Sequence, residues 1–391
     1  MISHLLVSYH TCPMEEPGEG LAGGMNVFLQ GLLSGLAEEG IKTDVVTRAI
    51  GETVEVTEPY PGVRIFHVPC FWKNPPTRQS AWESLDVFTE KSRLLLFGER
   101  IEPTVVSAHY WMSGVAALRL FSTPMLFAYH TIEANKEGCC EEVTPLSLIR
   151  REAEARLAGD ALGVVFFTEQ ELNRTIKLFP VLKEKSFVIP PGIEERFRFP
   201  VPREVARSLL GLPVSGDVFL FAARKDPSKN LSKALEAVRS LSSGLGKKIV
   251  LIVAGQDGAE ELQEDHVIYL GPVPHDSMAL LYSAADAVLC PSCYESFGLV
   301  PLEALSTAVP AIVPEDTFWG GIIKSEGGGL AYSTSNPKGL LEAMHSLVSN
   351  PSLRARLASE GPKVAESFTQ AKCIGSWVKL LQSFSTHCNP R

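Results

Sequence analysis

Short apolar runs alternate with helical patterns along almost the whole chain. The run HLLVSYH at 4–10 predicts a first strand, and a Gly-rich loop follows it. NVFLQGLLSGLAEEG at 26–40 predicts a helix, because Val27, Leu29, Leu32, Leu33 and Leu36 trace one face and Gly40 closes it. KTDVVTRA at 42–49, VRIFHVP at 63–69, PTVVSAHY at 103–110 and PMLFAYHT at 124–131 predict further strands. GVVFFTEQELNRTIKLF at 163–179 reads as a strand, a threonine cap and a helix, and FVIPPG at 187–192 closes the set.

The stretch 193–216 mixes proline, glycine and charge and reads as the region between domains. A second set then begins with DVFLFAAR at 217–224 and a helix from about 229. KKIVLIVAG at 247–255, VIYLGPV at 267–273, DAVLCPS at 286–292, a helix from about 299 and VPAIVPE at 309–315 continue it. The tail from 337 reads as helices. Strand–helix alternation twice over predicts an α/β chain of two doubly wound, Rossmann-like domains facing a cleft. The expected division is 1–197, 198–370, and a last helix at 371–391 that packs back toward the first domain. Ligands of such sheets bind beyond the carboxyl ends of the strands. The unusual polar clusters fall there: Gly23-Gly24, His109-Tyr110, His130-Thr131, Arg224 to Asn230, and Glu295 to Gly298.

Composition narrows the picture further. A chain of 391 residues is too long for one ordinary core. Its 45% apolar and 21% charged residues are those of a globular protein, and a net charge of −9 argues against bulk nucleic-acid binding. No apolar run approaches the roughly 20 residues that cross a bilayer. MISHLLVSYHTCP has no basic stretch or small-residue cleavage site and reads as a strand rather than a leader. The eight scattered cysteines fit reduced thiols, and the expectation is a cytoplasmic location. No basic amphipathic helix marks a membrane anchor; weak peripheral association and the oligomeric state stay open.

Two stretches carry candidate chemistry. In RKDPSKN at 224–230, Arg224 and Lys229 lie five apart across a turn that follows a strand and precedes a helix. Two fixed cations beside helix amides would stabilise the charge that grows on a departing diphosphate. The plain alternative is a solvated basic turn. In YESFGLVPLEAL at 294–305, Glu295 precedes Phe297 and Gly298, and Glu303 falls about one turn into a helix starting near Leu299. A carboxylate can accept hydrogen bonds from sugar hydroxyls; the alternative is a surface glutamate with a helix-dipole pair.

These residues carry a family resemblance. Glu295-x7-Glu303 within ESFGLVPLE resembles the E-x7-E signature of family 4 glycosyltransferases, and Arg224 and Lys229 match that family's Arg-x4-Lys pair. ARKDPSKNL resembles the sucrose-phosphate synthase branch. GGMNVFLQGLLSGLAEEGIKTDVVTRA and AHYWMSG resemble that branch and the mycothiol (MshA-like) group, and IPPGI at 189–193 and GPVP-x7-Y at 271–282 also fit. The resemblance implies the GT-B fold and a retaining transfer of a hexosyl group from a nucleotide diphosphate sugar, UDP-glucose or a similar UDP-sugar favoured, to a small-molecule, sugar-phosphate or glycan hydroxyl.

The resemblance also implies roles. Gly23 and Gly24 would meet the donor phosphate and His130 the donor sugar. Arg224 and Lys229 would hold the diphosphate. Glu295, Phe297, Gly298 and Leu299 would hold sugar and phosphate, Glu303 the ribose, and the base would lie near Val273. Lys73, His109, Tyr110, Thr131 and Arg150 lie where relatives with phosphorylated acceptors bind that phosphate, and Arg150 and Glu154 fit the Arg-x3-Glu spacing seen there. Two stretches depart from the pattern. FWKNPPTRQ lacks the Gly-Pro-rich setting usual around such a lysine, and HTIEANK differs from the His-Ser-Leu-Gly and His-Thr-Leu versions. The acceptor phosphate therefore stays open.

No metal or other cofactor is expected. The chain has no Asp-x-Asp pair, and Cys290-x-x-Cys293 lacks a second ligand pair at zinc spacing. GEGLAG at 18–23 matches G-x-G-x-x-G, with Asp44 about twenty residues on, but lies too far after its strand for a dinucleotide turn. Two other classes remain: a nucleotide-dependent oxidoreductase using the first domain's glycines, and a non-catalytic nucleotide-sugar-binding subunit.

Overall fold

The structure is a computed structural model that describes residues 2–17, 21–71, 77–122, 125–136, 139, 143–246, 248–255 and 266–386. The first sheet contains β1 (His4–Ser8), β2 (Thr43–Ile50), β3 (Glu55–Tyr60), β4 (Val63–Phe71), β5 (Val105–His109), β6 (Met125–Ala128), β7 (Gly163–Phe166) and β8 (Ser186–Val188). Their order is β3-β4-β2-β1-β5-β6-β7-β8; every pairing is parallel except β3 with β4. The second sheet contains β9 (Asp217–Ala222), β10 (Ile249–Ala254), β11 (Val267–Gly271), β12 (Ala287–Leu289), β13 (Ala311–Pro314) and β14 (Gly329–Tyr332). It is parallel throughout, in the order β11-β10-β9-β12-β13-β14. The expected α/β architecture of two parallel-sheet domains is therefore present.

The pleat explains why the strands read as unbroken apolar runs. Val250, Ile252 and Ala254 of β10 face one core, and Ile249, Leu251 and Val253 face another, so both sides are covered. On β1, Leu5 and Val7 face the outer core of the first domain while Leu6 joins the inner one. That inner core continues from helix Gly24–Glu38 into the second domain through Phe297, Phe368 and Ile374.

Two strands went unread in the sequence. β3, EVTEPY, is an edge strand with mostly exposed or half-exposed positions, so no apolar alternation marks it. β14 is only the four residues GLAY.

The chain passes between the halves twice at one place. Ile193 donates its backbone N–H to the carbonyl of Phe368 at 2.7 Å and forms a parallel bridge with Thr369. Helix Gln370–Thr386 then lies against helix Gly24–Glu38 in the first half. The approach is close: a Cβ on Gly35 would stand 2.4 Å from Cγ1 of Ile374.

A buried carboxylate anchors the second half. Asp286 Oδ2 accepts from Arg207 at 2.6 Å and from the Val218 amide at 2.8 Å, while Oδ1 accepts from Arg203 at 2.5 Å and lies 3.0 Å from Arg354. Another buried carboxyl joins the halves. Tyr294 donates to Glu171 Oε1 at 2.5 Å and accepts from the Ile132 amide at 3.1 Å. Burial pushes the Glu171 carboxyl up to about 7, against an ordinary 4.5. The folded chain therefore holds this proton more tightly than the unfolded chain. The stability it contributes is complete below about pH 4.5 and is lost as pH rises through about 7. Paired melting curves are expected to show a decline over that window that Glu171→Gln removes; an unchanged slope in the variant would exclude Glu171 as its source.

Candidate functional site

Carboxyl ends of parallel strands from both sheets open onto one cleft. After β1, the loop through His10 and Leu21 leads to Gly23 and Gly24 at the start of helix Gly24–Glu38. Tyr110 follows β5, His130 and Thr131 follow β6, and Phe167 follows β7. Across from them, Arg224, Asp226, Ser228 and Lys229 follow β9, and the segment from Cys290 to Val300 follows β12.

Hydrogen bonding shapes the β9 loop. Asp226 Oδ1 accepts from the Ser228 amide at 3.0 Å and from its hydroxyl at 2.7 Å, tightening the turn. Asn230 takes a left-handed conformation, φ 59°, before helix Leu231–Leu245. The Ser228 carbonyl accepts the Cys293 amide at 2.9 Å, which ties this loop to the one after β12. Lys229 Nζ then reaches Glu295 Oε1 at 2.7 Å across the two loops.

Arg224 points into the cleft and donates to the Leu21 carbonyl of the facing half at 3.0 Å. Burial first, and Arg78 second, push its guanidinium below its ordinary value. An arriving anion would relieve both costs. Gly23 leaves room for this side chain, since a Cβ there would stand 3.1 Å from Arg224 Cδ.

Two helix N-termini face one another nearby. Gly298 precedes helix Leu299–Ser306 at φ 87°, a conformation glycine adopts without strain. Trp319 Nε1 donates to the Gly298 carbonyl at 2.8 Å and fixes the turn. A Cβ on Gly24 would lie 3.6 Å from Cδ1 of Leu299. Unpaired amides at such ends favour anions.

Two of the histidines form a hydrogen-bonded pair with tilted rings. His109 Nδ1 and His130 Nε2 are 3.0 Å apart. Burial pushes His130 down to about 3 and His109 well below its ordinary value, so both rings are neutral near pH 7. One must donate and the other accept. His109 Nε2 is buried without a partner among the described residues. A bare nitrogen there costs less than an orphaned N–H, which puts the proton on His109 Nδ1 and leaves Nδ1 of His130 as that ring's donor. His130 holds φ 61° and Tyr110 φ 77°, both uncommon for residues with a side chain.

The structure gathers many of the expected residues and separates others. Gly23, Gly24, Tyr110, His130, Thr131, Arg224, Lys229, Glu295, Phe297, Gly298 and Leu299 line the cleft. His109 does not: it is fully buried behind His130, with its ring 5.6 Å from that of Trp377. Glu303 lies inside the second half, 5% exposed, where Tyr282 donates to it at 2.6 Å and burial raises its carboxyl above the ordinary range. Val273 packs on the core instead of lining the cleft. Arg150 lines an adjoining cavity that shares Arg78 and Tyr110 with the cleft. Lys73, and residues 18–20 of the GEGLAG stretch, lie outside the described residues.

Three basic side chains of the first half went unread. His10, Arg78 and Lys136 all line the cleft. His10 is pushed well below its ordinary value, by burial first and then by Arg224, Arg48, Arg78 and Arg150. Its Nδ1 is buried without a partner among the described residues. A signal existed for His10, which ends a strand-like run as His109 and His130 do.

Among the described residues, Cys12, Cys70, Cys139, Cys290 and Cys373 are free thiols. Among the described residues no helix is long and apolar enough to cross a membrane.

With this geometry in hand, comparison with known proteins is informative. Residues 203–364 match the family described as Glycosyl transferases group 1, and residues 22–197 match Glycosyltransferase Family 4. A D-inositol 3-phosphate glycosyltransferase of a Nocardioides species is 31% identical, over 93% of this chain and 86% of that one. Its counterpart in Streptomyces bingchenggensis is 32% identical, over 93% and 85%. In fold, the chain is similar to a sucrose-phosphate synthase from Thermosynechococcus elongatus, with a TM-score of 0.86, 22% identity and coverage of 98% and 99%. It is also similar to Anabaena HepE, solved in complex with UDP-glucose, with a TM-score of 0.72, 16% identity and coverage of 98% and 100%.

Proposed function

The chain belongs to the family 4 (group 1) glycosyltransferases of GT-B fold, and from that premise we propose that it moves a hexosyl group, with retention, from a nucleotide diphosphate sugar to an acceptor hydroxyl. The observation that carries the donor reading is the convergence of Arg224, Lys229 and the N-termini of helices Gly24–Glu38 and Leu299–Ser306 on one cleft. Four positive features aimed at a single space suit two linked phosphoryl groups. UDP-glucose or a similar UDP-sugar is the favoured donor, in keeping with the UDP-glucose bound to HepE.

In this reading the bond from the anomeric carbon to the diphosphate oxygen breaks as that carbon bonds to the acceptor oxygen. The acceptor proton passes to the departing phosphate on the same face. Arg224 and Lys229 stabilise the charge developing on that phosphate, so protein cations do the work of a divalent ion. Glu295, held by Lys229, accepts from hydroxyls of the transferred sugar, and neutral His130 donates to it. Glu303 reaches the ribose only once Tyr282 shares or releases it. The reaction takes place in the cytoplasm, a reading that rests on the free thiols of Cys12, Cys70, Cys290 and Cys373.

A thermal-shift screen of nucleoside diphosphates and their sugars tests the proposal. A ligand at 100 times its Kd stabilises by about 2.7 kcal/mol. At least one nucleoside diphosphate is expected to do so. Stabilisation by nicotinamide dinucleotides alone would instead indicate the oxidoreductase, and donor binding without turnover on any acceptor the silent subunit.

A further inference from the structure

The cavity beside the main cleft is walled by Glu133, Ser147 and Arg150 and shares Tyr110 and Arg78 with the cleft. A guanidinium has five N–H donors. In Arg150, which is 4% exposed, four hydrogen bonds and an ion pair draw on these donors. Nε donates to Glu154 Oε1 at 2.7 Å. One terminal nitrogen donates to Tyr110 Oη at 3.2 Å and lies 3.0 Å from Glu133 Oε2. The other donates to the carbonyl of Thr131 at 2.7 Å and to its hydroxyl at 2.9 Å. Each nitrogen of Arg150 therefore already faces an acceptor within the protein.

The charges agree with the donor count. Two carboxylates, Glu133 and Glu154, flank the guanidinium, and Lys136 stands 3.9 Å from Glu133. Among the described residues, Arg150 and Lys136 thus face the two acids. Glu133 is held in place, because its own amide donates to Glu154 Oε2 at 2.9 Å. A phosphate entering here would meet a fixed carboxylate with little water to screen it. Arg78, at the exposed mouth, is shared with the cleft, where its charge adds to that of Arg224.

We propose that Glu133 occupies the anion-binding side of Arg150, so that this subsite takes an uncharged, hydroxyl-bearing part of the acceptor and excludes a phosphate. A polyol or sugar suits the groups that remain: a carboxylate accepts from hydroxyls, and the Tyr110 phenol can donate to one. The inference rests on the glycosyltransferase reading and sets this chain apart from the relatives whose names specify inositol 3-phosphate.

The test is a calorimetric titration of inorganic phosphate, with the most stabilising nucleoside diphosphate saturating the main cleft. Wild type is compared with Glu133→Ala and Glu133→Gln. Both variants are expected to bind phosphate at least about tenfold more tightly than wild type, as removal of a like charge allows. Equal binding in all three proteins overturns the proposal, and so does an absence of binding in the variants. Melting curves check folding, and the near-isosteric glutamine carries the test if the alanine variant unfolds. Turnover on matched pairs, each a free polyol or hexose with its monophosphate and including D-inositol with D-inositol 3-phosphate, gives a second readout. Wild type is expected to favour the free member and the variants to shift toward the monophosphate; a wild-type preference for the monophosphate overturns the proposal. Failure of the underlying activity is distinguishable, because then no nucleoside diphosphate stabilises the protein.

Discussion

Arg224→Ala is expected to lower kcat by about 10²-fold or more, and Lys229→Ala by a similar factor, the scale for losing a preorganised charge stabiliser. Arg224 is already desolvated and repelled by Arg78, so it stands in a form that gains most when negative charge grows beside it. Lys229 waits paired with Glu295 at 2.7 Å, which keeps its ammonium between the two loops. An interaction made mainly in the transition state lowers kcat and kcat/KM together, whereas loss of uniform binding raises KM alone. That distinction matters for Arg224, whose bond to the Leu21 carbonyl also joins the two halves. If the substitution merely loosened the cleft, KM would rise and kcat would hold. Near-normal turnover in either variant would remove that residue from the mechanism.

Much of this site was legible because of where its residues fall. Arg224, Lys229 and Glu295 follow strands of a parallel sheet, and such a sheet directs its strand ends toward one edge. His10 follows the same rule, yet the run HLLVSYH absorbed it as strand. Arg78 and Lys136 were less legible, since they begin or end short helical turns whose direction depends on packing. Glu303 has the right spacing, but spacing cannot reveal that Tyr282 engages its carboxylate or that burial encloses it. Glu133 marks the opposite case. Its stretch, HTIEANK, already stood out as a departure, but its partner Arg150 lies on another helix, Pro145–Asp160. In the fold, the strands were readable where both faces are buried; β3 was not, because its residues are largely polar and lie at an edge.

Asp286 was hidden in the same way: a carboxylate at the head of the apolar run DAVLC gives no sign of its partners. Its replacement is expected to have the largest effect on stability. Asp286→Ala should cost about 3–5 kcal/mol, the range for removing one partner of a buried ion pair. The Arg207 side chain is 2% exposed and spends its other donors on the carbonyls of Ala284, Val214 and Gly216. Without Asp286 it keeps a buried charge with no counter-ion at 2.6 Å, and the Val218 amide of β9 loses its 2.8 Å acceptor. Arg203 and Arg354 are more exposed and can turn to water, so the cost falls mainly on Arg207. Denaturant unfolding followed by fluorescence measures the change, read at the transition of the second half because a two-domain chain need not unfold in one step. A loss below about 1 kcal/mol, the level of an exposed pair, would mean that water reaches Arg207 and that the cluster is not the anchor described. The consequence extends to the cleft, since Asp286 immediately precedes β12 and thus the loop that carries Glu295. Weaker donor binding is therefore expected in the variant even where the fold persists, with the residual affinity tracking how much of the β12 loop stays in register.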